Sequence, residues 1–301
     1  RSQPGGENMS ELSRKLFTEL SAPGPQRHLI AVSDIAGLDD SMRHAVNDLF
    51  GGRCYPLLQN EKWAALRPYS PLLLAARSTT LADCGNLMEA FHGRLLNALQ
   101  GWIISTQPAD ALATHLSDAT LARGPDGCTY LLRYYDPLVL PILHQRADPG
   151  WWNSFVAPIV SWWVPGANVE RRLWGRVPGH GSRAGNTFPL EMLTMDADLW
   201  QALAEDPFPH RLLREAQTHE PSLFDTDCRY VRLARVRTHL KAAEMLGLSS
   251  SEDLHDYVFM ALSRPAQQLR DDSQWQLALQ MAASGNERLG AAYLALVSQK
   301  A

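Results

Sequence analysis

Apolar positions in the first half of the chain alternate between short runs and helical stripes. HLIAVSD (28–34) is a compact apolar run and reads as a strand, while LDDSMRHAVNDLF (38–50) reads as a helix closed by Gly51-Gly52. CYPLLQ (54–59) predicts a short strand and SPLLLAAR (70–77) a stronger one. In NLMEAFHGRLLNALQ (86–100), Leu87, Phe91, Leu95 and Leu99 recur four apart and predict a helix ended by Gly101. GWIIST (101–106) then reads as a strand, ADALATHLSDATLA (109–122) as a helix, GPDG as a turn and TYLLRYY (129–135) as a strand. Strands alternating with helices predict an α/β lobe, with a mixed sheet flanked by helices.

Beyond Pro189 the period of two disappears. Leu233, Val236, Leu240 and Ala243 form a helical stripe ended by Gly247, and Ser249-Ser-Ser-Glu252 reads as a capping box. It opens a helix striped by Leu254, Tyr257, Val258 and Ala261; Asp271-Asp272 opens another, carrying Trp275, Ala278, Leu279 and Ala282. VPGHGSRAGNTFP (177–189) is rich in Gly and Pro and marks the join. The expected organisation is an α/β lobe over residues 9–188 and an all-helical lobe over 189–301.

One stretch tests that reading. Pro149 to Val169 carries no charge and is long enough to span a bilayer, but Asn153, Pro158, Pro165, Gly166 and Asn168 interrupt it and its bulk is Trp. It reads as a buried helix with its exit turn, and no membrane insertion is expected. An apolar fraction of 45% and a net charge of -4 are those of an ordinary globular chain and give no reason to expect a nucleic-acid partner. Cys54, Cys84, Cys128 and Cys228 are scattered without ligand or disulfide spacing, which fits a reducing compartment. Residues 1–8 (RSQPGGEN) precede Met9 and read as a non-native leader, because MSELSRKLF opens like a helix. No signal segment follows, so the expected location is cytoplasmic.

Candidate chemistry is sparse. No histidine pair has zinc spacing, and His92 and His115 fall on predicted helix surfaces, so no metal is expected. Gly179-His-Gly181-Ser-Arg-Ala184 superficially fits a dinucleotide loop, but Asn-Thr-Phe-Pro189 follows instead of a long helix. Ser182 lacks a nucleophile-elbow context, and the pairs Asp39-Asp40 and Asp271-Asp272 are explained by helix starts. The expectation is no catalytic residue and no cofactor. Arg229, Arg232, Arg235, Arg237 and Lys241 flank a helix stripe on both sides, as stems covering a core edge.

Within LLRYYDP (131–137), a strand would turn Leu131, Arg133 and Tyr135 to one face. A guanidinium there must be paired or lie at the rim, because an unpaired buried charge costs several kcal/mol, roughly. Asp34, at the exit of the first strand, is the leading partner. Asp136 is placed to cap the turn that Pro137 begins, and Pro141 limits its regularity.

A strand ending in Arg, two aromatics and Asp-Pro resembles the signature of the family called domain of unknown function 4123. LIAVSD with Asp34, Ser70-Pro71 before a buried strand, and GWIIST follow in the family's order, and HLKAAEMLGLSSSEDLHDYVFMAL resembles its variable second lobe. The core of the resemblance covers residues 28–145. It implies an adaptor chaperone of bacterial type VI secretion, one that binds a secreted toxin effector and delivers it to the VgrG spike protein. It carries over Arg133, Tyr135, Asp136 and Pro137 as motif positions, either holding the fold or touching a partner. Leu138 departs from a position that is often basic in the family.

Trp151, Trp152, Trp162, Trp163 and Trp174 are five of nine tryptophans in a short span. Adjacent residues on a helix point about 100° apart, so some of these must be exposed, pack between lobes or anchor a partner. Two rivals to the adaptor stay open: an α/β enzyme with its site at the strand C-terminal ends, and a scaffold with no secretion role.

Overall fold

The computed structural model of the chain describes residues 5–91, 93–166, 174–182, 190–204, 206, 208–225 and 229–298. Backbone contacts group these into two compact units, one up to residue 204 and one from 206 onward. The join expected at 188/189 lies at the edge of residues 183–189, outside the described residues, and residues 190–204 pack with the first unit.

In the first unit the order is α1 (Gly5–Leu20), β1 (His28–Ser33), α2 (Asp40–Phe50), β2 (Cys54–Pro56), β3 (Leu72–Ala75), α3 (Leu81–Ala90), β4 (Leu99–Ser105) and α4 (Ala109–Asp118). There follow β5 (Leu121–Arg123), β6 (Thr129–Leu131), α5 (Val139–Arg146), α6 (Pro149–Phe155), β7 (Ile159–Pro165), β8 (Trp174–Pro178), β9 (Leu193–Thr194) and α7 (Ala197–Leu203). Six strands form one sheet in the order β2-β3-β1-β4-β7-β8, antiparallel at every pairing. A smaller sheet has the order β6-β5-β9, and its β5–β9 pair is parallel. This is the expected α/β lobe.

Both faces of the large sheet are covered, which is why its central strands are continuous apolar runs. Leu29, Ala31, Leu74, Trp102 and Ile104 face a core shared with α1, α2 and α3. Ile30, Val32, Leu73 and Ile103 face the opposite core, shared with α4, α5 and α6. Gly101 sits where Trp162 crosses β4: a Cβ there would lie 2.6 Å from the Trp163 carbonyl oxygen and 2.9 Å from Trp162 Nε1.

Local chemistry explains the boundaries. Asp39 caps α2 by accepting from the Met42 amide, and Gly51 ends it at φ +53. The stripe Leu87, Phe91, Leu95, Leu99 does mark one core, but it is not one helix. α3 begins earlier, capped by Thr80, and ends at Ala90; residues 93–98 form a 3-10 turn, while Leu99 and Gly101 belong to β4. The strand wins because Trp102, Ile103 and Ile104 fill both faces of the sheet. The stretch expected to be a buried helix with its exit turn is a short helix, α6, followed by the strand β7. α1 begins ahead of Met9, and its Leu12 and Leu16 are buried.

The second unit contains α8 (Phe208–His219), α9 (Arg229–Met245), α10 (Ser251–Ser263), α11 (Ala266–Asp271), α12 (Ser273–Ala283) and α13 (Leu289–Ser298). Leu233, Val236, Leu240 and Ala243 are buried on α9, and Gly247 takes φ +88 after it. The α10 cap is Ser250, one residue later than the expected box: its Oγ accepts from the Asp253 amide and donates to Asp253 Oδ2 at 2.6 Å. Asp253 Oδ1 accepts from the Leu289 amide at 2.7 Å, so a buried carboxylate ties the start of α10 to α13. Asp272 caps α12, whose Trp275, Ala278, Leu279 and Ala282 are buried. No described helix is long and apolar enough to cross a membrane.

Candidate functional site

The Arg-Tyr-Tyr-Asp-Pro segment is a turn instead of a strand. β6 ends at Leu131, the Leu132 amide donates to the Thr120 carbonyl at 2.9 Å, and the Asp136 amide donates back to the Arg133 carbonyl at 2.9 Å. The expected alternation of faces therefore fails. Both tyrosines enter one core: Tyr134 is fully buried and packs edge-on against Tyr135 at 5.7 Å and Phe155 at 5.2 Å, with its hydroxyl donating to the Leu116 carbonyl at 2.7 Å. A turn can deliver neighbouring side chains to one side; a strand cannot.

Arg133 stays at the rim and is paired as expected. Its Nη2 donates to Asp34 Oδ2 at 3.3 Å and lies 3.9 Å from Asp136 Oδ2, and its guanidinium sits 5.7 Å from the Tyr135 ring centre. Asp34 is itself fixed, since its backbone amide donates to the Ala98 carbonyl at 2.8 Å and its Oδ1 accepts from the Ala36 amide at 3.0 Å. Burial works against the Arg133 charge, but Tyr135, Asp136 and Asp34 outweigh it and hold the guanidinium's pKa above its ordinary value. Burial also pushes the Tyr135 phenol up to about 12, with Arg133 opposing and Asp34 adding to the rise.

Asp136 caps the turn in the expected way. Its Oδ1 accepts from the Leu138 amide at 2.9 Å, and its carbonyl accepts from Val139 and Leu140 as α5 begins. Pro137 lies within that turn. Pro141 falls in the first turn of α5, where its missing N–H costs nothing. A cavity of about 290 Å3 opens beside the segment, lined by Tyr130, Leu132, Val139 and Trp200 and bordered by Arg133 and Asp136.

All four candidate tryptophans are buried. Trp162 and Trp163 alternate on β7, so Trp162 enters the core of α4–α6 and Trp163 the core of α1–α3. Trp151 and Trp152 both enter the first of these, against the expectation for neighbours on a helix. α6 is short and covered on two sides. Trp151 stacks on Phe155 at 4.9 Å and donates its indole N–H to the Glu191 carbonyl at 3.0 Å, while Trp152 lies 5.0 Å from the His144 ring. Each is only 7% exposed, so neither is free to anchor a partner.

The loop that superficially fits a dinucleotide motif is a strap across the α6–β7 connection. Gly181 donates to the Ile159 carbonyl at 2.8 Å, Ser182 to Ala157 at 2.7 Å, and His180 Nε2 lies 2.9 Å from Asn153 Oδ1. A Cβ at Gly179 would fall 2.1 Å from the Ile159 oxygen, so close packing explains that glycine. Arg183 and Ala184 lie outside the described residues. His92 does too, and His115 is half-buried, its Nε2 meeting the Phe155 carbonyl at 2.9 Å. Burial pushes the Cys54 and Cys84 thiols up, away from reactive thiolates, and Cys228 is not among the described residues. Among the described residues, no group of three His, Cys, Asp or Glu is placed to hold a metal.

Sequence reasoning missed a groove of about 1070 Å3 in the second unit, with Phe208, Leu212, Phe259 and Leu294 among its walls. His255 lies in it with its two ring nitrogens 3.0 Å from Glu215 Oε1 and 3.1 Å from Asp256 Oδ1. The adjacent His255-Asp256 pair is visible in the sequence, but Glu215 belongs to another helix and no spacing rule connects it. In the basic run, Arg235 meets Asp225 at 2.6 Å and the Arg232 guanidinium lies 5.3 Å from the Phe224 ring, beside the buried α9 stripe.

Residues 31–154 match the family model described as Domain of unknown function (DUF4123). No curated protein and no solved structure matches the chain significantly.

Proposed function

We propose that this chain, which carries a DUF4123 domain over residues 31–154, is a non-enzymatic adaptor that binds a type VI secretion toxin and loads it onto the VgrG spike. In this reading the toxin is held in the cytoplasm until the spike takes it. The observation that carries the proposal is that the Arg-Tyr-Tyr-Asp-Pro signature lies inside the matched segment, with its charges engaged by the scaffold. Arg133 is neutralised by Asp34 and Asp136, and Asp136 caps a turn. A motif used in this way keeps the domain's shape and leaves recognition to wider surfaces.

The groove of the second unit supports the same reading. Its lining mixes apolar side chains such as Phe208, Phe259 and Leu294 with charged ones such as Arg211, Glu220, Glu252 and Arg288. Aromatic residues and Arg are both enriched in protein-binding surfaces.

The test is co-expression of the tagged chain with the toxin encoded beside it and with the spike protein. The expected result is a ternary complex that survives size exclusion. Recovery of the chain free of both partners, with all three proteins soluble, would overturn the proposal.

A further inference from the structure

Glu215 of α8 and Asp256 of α10 face His255 from opposite sides, and each presents a carboxylate oxygen to one ring nitrogen. Ionised carboxylates only accept hydrogen bonds, and a neutral imidazole has one N–H to give. Two such contacts at 3.0 and 3.1 Å therefore need one more proton than a neutral histidine between two carboxylates supplies. That proton belongs on the imidazole. Both carboxyl groups are well exposed, at 39% and 40%, where water solvates their charge.

The Phe259 ring completes the arrangement, stacking on the imidazole at 4.4 Å one turn further along α10. The flanking charges do not replace the clamp. Glu252 is paired with Arg288 at 2.6 Å, Arg264 lies 3.5 Å from Asp272, and the Arg211 guanidinium sits 4.9 Å from the Phe208 ring. Glu220 and Tyr293 also line the groove, and among the described residues α9 contributes none to its lining.

We infer that His255 is a doubly protonated clamp joining α8 to α10, and that its deprotonation releases α8 and loosens one wall of the groove. Loss of the proton removes one of the two hydrogen bonds. It also leaves Glu215 and Asp256 without the cation between them. The folded-state balance agrees: burial opposes the charged ring, but the hydrogen bonds and charges of Asp256 and Glu215 prevail and raise its pKa. Because the folded value is raised, the clamp is complete below the ordinary histidine value and is lost as pH climbs through the raised one. The groove is thus a surface whose rigidity depends on pH, whatever partner it takes.

The test uses the full chain with 15N-labelled histidine, and His255→Gln identifies the His255 signals by their loss. The expected result is a titration midpoint above the ordinary histidine value, with two protonated ring nitrogens below that midpoint, and a lower midpoint in Glu215→Gln and Asp256→Asn. Amide exchange of residues 208–219, corrected for intrinsic rates, is expected to lose protection as pH rises through that midpoint. In His255→Gln this protection is expected to be low and independent of pH. A midpoint at or below the ordinary value, or a single-proton tautomer below the midpoint, overturns the clamp. Unchanged exchange of 208–219 across the wild-type midpoint, or the same pH response in His255→Gln, overturns the release.

Discussion

Nη2 of Arg133 reaches Oδ2 of Asp34 across 3.3 Å, tying the exit of β1 to the turn after β6. The two residues are far apart in sequence, so their bond joins the end of a strand of the large sheet to the turn that leaves the small one. Arg133 is 47% exposed and Asp34 16%, so solvent screens much of the attraction. A double-mutant cycle with Asp34→Ala and Arg133→Ala is expected to give a coupling of about 0.5–1 kcal/mol in urea unfolding. Additive single effects would show that the pair orders the loops without stabilising them.

Asp136→Ala removes the acceptor for the Leu138 amide at the start of α5. The expected cost is about 1 kcal/mol, read as a lower urea midpoint at unchanged slope. An unaltered midpoint would free Asp136 for a role outside the fold.

Trp151→Ala and Trp152→Ala each empty a large volume in the core that holds Phe155 and Tyr134. Either substitution is expected to cost about 3–5 kcal/mol. Any loss of partner binding should then track loss of cooperative unfolding; a fully folded variant with lost binding would place these rings at an interface.

Gly101→Ala puts a methyl group against the Trp163 carbonyl oxygen and the Trp162 indole. Backbone cannot yield as a flexible side chain does, so a loss of about 1–3 kcal/mol or more is expected. Gly127, in the hairpin turn with nothing near its Cβ position, is the control for φ strain alone at +77.

His28 and His115 provide a pH prediction for the first unit. Burial lowers both pKa values, with Asp110 opposing at His28 and the Phe155 carbonyl opposing at His115. The unfolded chain therefore takes up protons first as pH falls past about 6.5, and stability declines from there through the lowered folded values. The urea midpoint of the first unit is expected to drop between pH 7 and pH 5, and less so in His115→Gln.

Much of this was legible from periodicity and punctuation. β1, α2 with its Asp39 cap, β3, the GPDG hairpin and the α9 and α12 stripes follow from local rules, because there the local preference and the tertiary environment agree. Arg133–Asp34 was legible because a charge beside a core needs a partner and strand exits supply few. Leu99 misled because a four-residue spacing records a shared core equally well for a helix and for a helix followed by a strand. Trp162-Trp163 misled because a charge-free run buried on both sides has no diagnostic period. His255 and Glu215 were invisible because their meeting depends on how α8 and α10 pack together.

The pairing of β4 with β7 has a further consequence. The family-model match ends at residue 154, while the hydrogen-bonded partner of β4 starts at Ile159 and is anchored by Glu19 of α1 through Ser161 at 2.5 Å. A polypeptide trimmed to 31–154 would bare the backbone of Trp102, Ile103 and Ile104 along one margin and strip the helix that seals the adjoining face. Such a fragment should stick to itself, because an open apolar edge recruits further strands. The matched segment and the piece of chain expected to fold by itself therefore have different limits in this molecule.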